Sequence, residues 1–183
     1  MVVNALLALA VFAAATGWAA DQAAGPDELS ARLLTLVNAE RAKAGQPALA
    51  FEARLNAAAC LHARDLVRGG PLSHRGSDGS DLTGRLVRSG YPFAMAAENL
   101  IAGVATPDET VWLWSGSPGH RQNMLTSEFR DAGIAHRPGA GGEVWVLVLG
   151  TPQSVSGAAA PGRQGLNTTQ PGDLRGDKAL TCY

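Results

Sequence analysis

The chain has 183 residues, with 15 lysines and arginines against 16 aspartates and glutamates, four histidines, two cysteines and a formal charge of −1. That length accommodates one domain with additional segments, and 46% hydrophobic against 17% charged residues excludes wholesale disorder. Near-neutral charge excludes a general nucleic-acid or anionic-membrane binder, which needs a basic excess to neutralise phosphates.

Residues 1–20 carry no Lys, Arg, Asp or Glu, and Ala5 to Ala15 is an apolar run followed by the small residues Gly17 and Ala19. An apolar stretch of this size, followed by small residues at signal-peptidase spacing, predicts a signal peptide over residues 1–20 and a secreted or periplasmic protein. No other segment approaches the ~18 apolar residues of a membrane span, so no transmembrane helix is expected in the mature chain. Export permits a disulfide, for which Cys60 and Cys182 are the candidates; Cys60 can equally be a small buried apolar residue.

The folded unit is expected over residues 26–153. Leu29, Leu33, Leu36, Val37 and Glu40 have the spacing of a helix with one buried face, ending near Gly45. A second helix is predicted from Glu52 to Arg68, with Leu55, Ala59, His62, Ala63 and Leu66 in one stripe, which makes His62 a buried, hydrogen-bonded residue rather than a ligand. A third opens at Asp81 and closes at Gly90. The fourth starts at Thr106-Pro107 with Glu109 in capping-box position and turns Val111, Leu113 and Trp114 inward. A helical turn at Ser117-Pro118 follows.

Strand signals come late: weak over Asn99–Val104, moderate over Ala132–Arg137 and strong over Glu143–Gly150. Val144 to Leu149 is apolar at every position, the pattern of a central strand covered on both faces, and residues 139–142 join the last two strands as a hairpin. Helices followed by hairpin-linked strands predict an α+β fold, an α-β-α sandwich with a small antiparallel central sheet flanked by helices. From residue 154 to 183 the composition turns to Gly, Ala, Ser, Thr, Gln and Pro, predicting a disordered C-terminal tail.

Metalloprotease, P-loop, dinucleotide and nucleophile-elbow motifs are absent, and Cys60 sits mid-helix among alanines, a poor setting for a thiolate. Three polar stations stand out: His74 in a Gly-rich loop, Glu98 among apolar residues, and His120 in the turn after the fourth helix. Taken alone, each also fits a loop, strand-edge or capping role.

The segments Val37-Asn38-Ala39-Glu40-Arg41, Leu72-Ser73-His74, Ala97-Glu98-Asn99-Leu100, and Trp114 followed by Ser117-Pro118-Gly119-His120-Arg121-Gln122-Asn123-Met124-Leu125 occur in order. Over residues 29–150 the chain resembles the CAP superfamily (cysteine-rich secretory proteins, antigen 5, pathogenesis-related proteins) in its bacterial SCP-like branch. The resemblance implies an α-β-α sandwich in which His74, Glu98 and His120 converge on one cleft, with Asn99 and Ser117 of the same motifs at its border. Animal and plant members place a second cleft glutamate after the helix-four tryptophan, where this chain has Ser115-Gly116-Ser117, and an H-Y-T-Q strand motif where it has Val144-Trp145-Val146-Leu147.

Two imidazoles and a carboxylate could hold zinc or another divalent metal that activates water. Without metal, Glu98 could hold one imidazole as a general base, or the three could form a hydrogen-bonded polar core. The resemblance favours a binding module for a small molecule, lipid, peptide or envelope component; the alternative is a metal-assisted or acid/base hydrolase acting on peptides or cell-wall material.

Overall fold

The computed structural model describes residues 25–69 and 71–154. The expected signal peptide, the tail beyond Ser154 and Cys182 lie outside the described residues.

Helix α1 spans Glu28–Lys43, capped by Asp27, whose carboxylate accepts from the Ser30 backbone N–H at 3.0 Å. Its buried stripe is Ser30, Leu33, Val37 and Arg41, so Leu29, expected on that stripe, stays exposed. After β1 (Ala50–Phe51), α2 (Ala53–Leu66) starts at Glu52, which accepts from the N–H groups of Arg54 and Leu55. Helix α3 (Leu82–Ser89) runs from an Asp81 cap to Gly90 at φ 73°, a left-handed stop suited to glycine. Helix α4 (Pro107–Gly116) starts where Thr106 accepts from the Glu109 N–H, and α5 (Pro118–Leu125) follows at once.

Strands β2 (Phe93–Ala102), β3 (Asp131–Gly139) and β4 (Gly142–Pro152) complete one sheet in the order β1-β3-β4-β2. The β3–β4 hairpin and the β2–β4 pairing are antiparallel, as expected. The sheet is nevertheless mixed, because β1 pairs parallel with β3. Two residues carry no alternation to read, which is why β1 leaves no trace in the pattern. Strand β2 also begins six residues earlier than Asn99, in an alanine-rich stretch with no β-branched residues to announce it.

Strand β4 is buried on both faces. Trp145, Leu147 and Leu149 enter one core with Leu33 and Val37 of α1, Trp114 of α4 and Met124 of α5. Val146 and Val148 enter the other with Leu55, Ala59 and Ala63 of α2 and Leu86 of α3. The architecture is the expected α-β-α sandwich, with α1, α4 and α5 on one face and α2 and α3 on the other. The α2 layer sits so close that a Cβ on Gly133 of β3 would overlap the Leu55–Asn56 backbone. Gly133→Ala is therefore expected to lower unfolding free energy by about 2–3 kcal/mol, measured by urea titration; a change under about 0.5 kcal/mol would show that α2 can lift off the sheet.

Candidate functional site

Strand β2 is an edge strand, and its alternation sends Glu98 and Leu100 to the α2–α3 face and Ala97 and Ile101 to the other. Glu98 is 6% exposed and Asn99 fully buried. A buried carboxylate needs strong partners, and α2, α3 and the loop between them supply three.

Arg85, itself 2% exposed, places Nη2 at 2.8 Å from Glu98 Oε2. His74 Nδ1 lies 2.8 Å from Glu98 Oε1. His62, at 1% exposure, sits behind with Nε2 at 3.8 Å from the same oxygen. The buried polar residues also shape the His74 loop. His62 Nε2–H donates to the Ser73 carbonyl at 2.8 Å, and Arg85 donates to the carbonyls of His74 (3.2 Å) and Ser80 (3.3 Å). Asp65 of α2 accepts from the Ser77 N–H at 2.7 Å and from its hydroxyl. Those hydrogen bonds hold the Asp65 carboxyl below the usual aspartate range.

His74 is thus pinned at Nδ1 while its side chain remains 63% exposed. Because a carboxylate only accepts, the proton sits on Nδ1 and the Nε2 lone pair is left toward solvent. An open cleft of about 410 Å³ lies in front, lined by His74, Arg75, Asp81, Leu82 and Glu98.

His120, on the first turn of α5, comes from the other layer. Burial, and then the charge of His74, push its pKa below the ordinary histidine value, and its ring centroid lies 6.3 Å from that of Trp114. Asn99 is a tie rather than a lining residue: its amide donates to the His120 carbonyl at 3.0 Å and its oxygen accepts from Asn123 at 2.9 Å. Ser117 is the hinge between α4 and α5, its N–H donating to the Trp114 carbonyl and its carbonyl accepting from Arg121; its side chain makes no capping bond.

Of the expected residues, His74 and Glu98 meet directly, His120 feels the charge of His74 but does not line the open cleft, and Asn99 and Ser117 position α5. Among the described residues no group of three or more His, Cys, Asp or Glu side chains is placed to hold a metal ion. Glu98 acts as a partner to the imidazole, with a guanidinium on one oxygen and the His74 N–H on the other, an arrangement in which a carboxylate orients a histidine and leaves its Nε2 to take a ligand.

Two residues were missed: Arg85 and the site role of His62. His62 is buried and hydrogen-bonded as its stripe implied, yet it also backs Glu98. Arg85 follows Leu82 by three positions and adjoins Leu86, so it falls on the apolar face of a short helix. An arginine there requires a buried acceptor, and Glu98 was the unexplained acid.

The cysteine-rich secretory protein (CAP) family model matches residues 34–149. The chain belongs to that family. Bacillus subtilis YkwD is 28% identical over 123 residues, a stretch that is 66% of this chain and 47% of YkwD, so this chain spans about half of that relative. An outer surface protein of Borrelia burgdorferi superposes with a TM-score of 0.64 at 18% identity, covering 71% of this chain and 97% of that one. An extracellular SCP-domain protein of Bacillus anthracis gives 0.61 at 24% identity, covering 70% and 44%. At these identities the structural likeness establishes the fold. Among the described residues no helix is long and apolar enough to cross a membrane.

Arg85→Met strands a buried carboxylate and is expected to cost about 3–5 kcal/mol, most of it recovered in the Arg85→Met/Glu98→Leu double variant; chemical denaturation of all three would contradict the account if the two costs simply added. Burial, outweighing the attraction of Glu98, lowers the His62 pKa. A base depressed in the folded state opposes folding when protonated, so stability falls as pH drops below about 6.5, with a slope of up to about 1.4 kcal/mol per pH unit for one proton. His62→Gln should flatten that part of the stability–pH curve, and an unchanged slope would remove His62 as its source.

Proposed function

We propose that this CAP protein is an exported binding module that takes a peptide, or a peptide-bearing envelope component, in the cleft in front of Glu98. The carrying observation is an imidazole fixed by a buried carboxylate yet 63% exposed at the cleft mouth. A preorganised polar handle loses little conformational entropy on binding. Arg75 and Asp81 offer charges of both signs, while Leu82 and the aliphatic parts of the charged side chains give apolar contact. That mixture suits a peptide whose apolar side chains meet the largely apolar lining while its amide and charged groups meet His74, Arg75 and Asp81. Export is supported by the uncharged residues 1–20, with their apolar run and small residues.

One observation favours a second reading. With Nδ1–H directed at Glu98 and the Nε2 lone pair toward solvent, His74 has the arrangement of a carboxylate-oriented general base. It could accept a proton from an attacking water. The described residues lining the cleft include no Ser, Thr or Cys, so no hydroxyl or thiol nucleophile is offered there, and His74 as a base points to direct water attack.

A library of muropeptides and synthetic cell-wall peptides, offered to wild type and His74→Ala, separates the readings. Saturable binding without turnover, weakened about tenfold or more in a variant that loses less than about 2 kcal/mol of stability, is the expected result. Peptide cleavage that disappears with His74 would replace the module by the hydrolase. Neither binding nor cleavage would contradict both.

A further inference from the structure

Helix α2 carries one side chain that the polar site leaves unexplained. Cys60 lies two positions before His62, is 1% exposed, and belongs to the core that Leu55, Ala59, Ala63 and Leu86 form with the sheet. The side-chain amide of Asn56, one turn earlier, lies 3.8 Å from its sulfur. A free thiol in such a place is a small apolar residue with an unreactive sulfur. Cys60 is not one: its sulfur is disulfide-bonded, and among the described residues no cysteine is free.

The sequence leaves a single partner within the chain. It holds two cysteines, and the other is Cys182. Strand β4 ends at Pro152, thirty positions earlier. A stretch of that length reaches up to ~100 Å when extended, against a radius of gyration near ~14 Å for a domain of ~130 residues, so length does not bar a return to α2. A bond between two Cys60 residues of separate copies is barred by packing, because a sulfur 1% exposed in the α2 core cannot be brought to bonding distance of its equivalent.

We propose that Cys60 and Cys182 form one buried structural disulfide that fastens the end of the chain to helix α2. The closed loop, about 120 residues long, contains His74, Arg85, Glu98 and His120, so the polar-site residues that follow α2 all lie within it. In forming the bond the two thiols together give up two protons and two electrons. The oxidant is the disulfide of an exchange partner, a thiol–disulfide oxidoreductase or oxidised glutathione, which is released as thiols. Exchange in the other direction needs a thiolate to reach a bonded sulfur, and Cys60 offers no approach, so the bond is a brace rather than a redox switch. It uses none of the residues lining the cleft, and the peptide reading stands or falls separately.

Peptide mapping decides the pairing. The whole protein is made in an oxidising compartment, purified without reductant, and digested at acidic pH, where thiols stay protonated and exchange stops. Mass spectrometry should find the Cys60 and Cys182 peptides joined in one species that separates on reduction. The unfolded, unreduced monomer should take up no iodoacetamide. Millimolar dithiothreitol should leave the native bond intact and break it once guanidinium unfolds α2. Cys182→Ser should lower Tm by about 10 °C or more, and the mapping of the wild type needs no variant. Two alkylated thiols in the unreduced chain, a dimer joined through cysteine, or native reduction as fast as that of the unfolded chain would overturn the proposal, as would an unchanged Tm in Cys182→Ser.

Discussion

A carboxylate buried at the edge of the sheet governs the molecule's polar architecture. Glu98 is 6% exposed, and an ionised group so placed is tolerated only when its lone pairs are filled. Arg85 and His74 fill them at 2.8 Å each. The same guanidinium takes the backbone carbonyls of His74 and Ser80, so meeting the charge of Glu98 also dictates where the loop after α2 must lie. The orientation of His74 and part of the loop conformation follow from one buried ion pair.

The sandwich makes this possible through its strand order. Strands β3 and β4 are flanked on both sides within the sheet and bury mostly apolar side chains, but β2 is at the edge. There the two helical layers can reach around the sheet. Layer one contributes His62, His74 and Arg85; layer two contributes His120, anchored by Asn99 and Asn123. The division of labour along β2 is strict: Glu98 faces one layer, and its neighbour Asn99 ties α5 from the other.

Most of the fold was legible in the sequence because its signals are local. The Thr106 and Asp81 caps, Pro118 at the start of α5, the Gly90 stop and the two-sided apolar run of β4 each depend on a few adjacent residues. What escaped was non-local or too short: β1 exists only by pairing with Asp131 and Ala132, and Leu29 lies just off a stripe whose true members are set by packing. At the site, the motifs singled out His74, Glu98 and His120, but not their relationship. Arg85 carried a readable warning, since a charge on the apolar side of an eight-residue helix must find a counter-charge. Which acid it would find depended on β2 lying beside α3 in space. The guanidinium that occupies one Glu98 oxygen comes from thirteen positions away, and nothing adjacent to Glu98 announces it.

The most direct test of this picture is the tautomer of His74, read from the nitrogen chemical shifts of its ring above the histidine titration range. A proton resident on Nδ1, with Nε2 unprotonated, is the predicted state, and it should relax toward that of a free imidazole in Glu98→Leu. A ring already protonated at Nε2, or indifferent to Glu98, would show that the buried carboxylate does not orient the imidazole at the cleft.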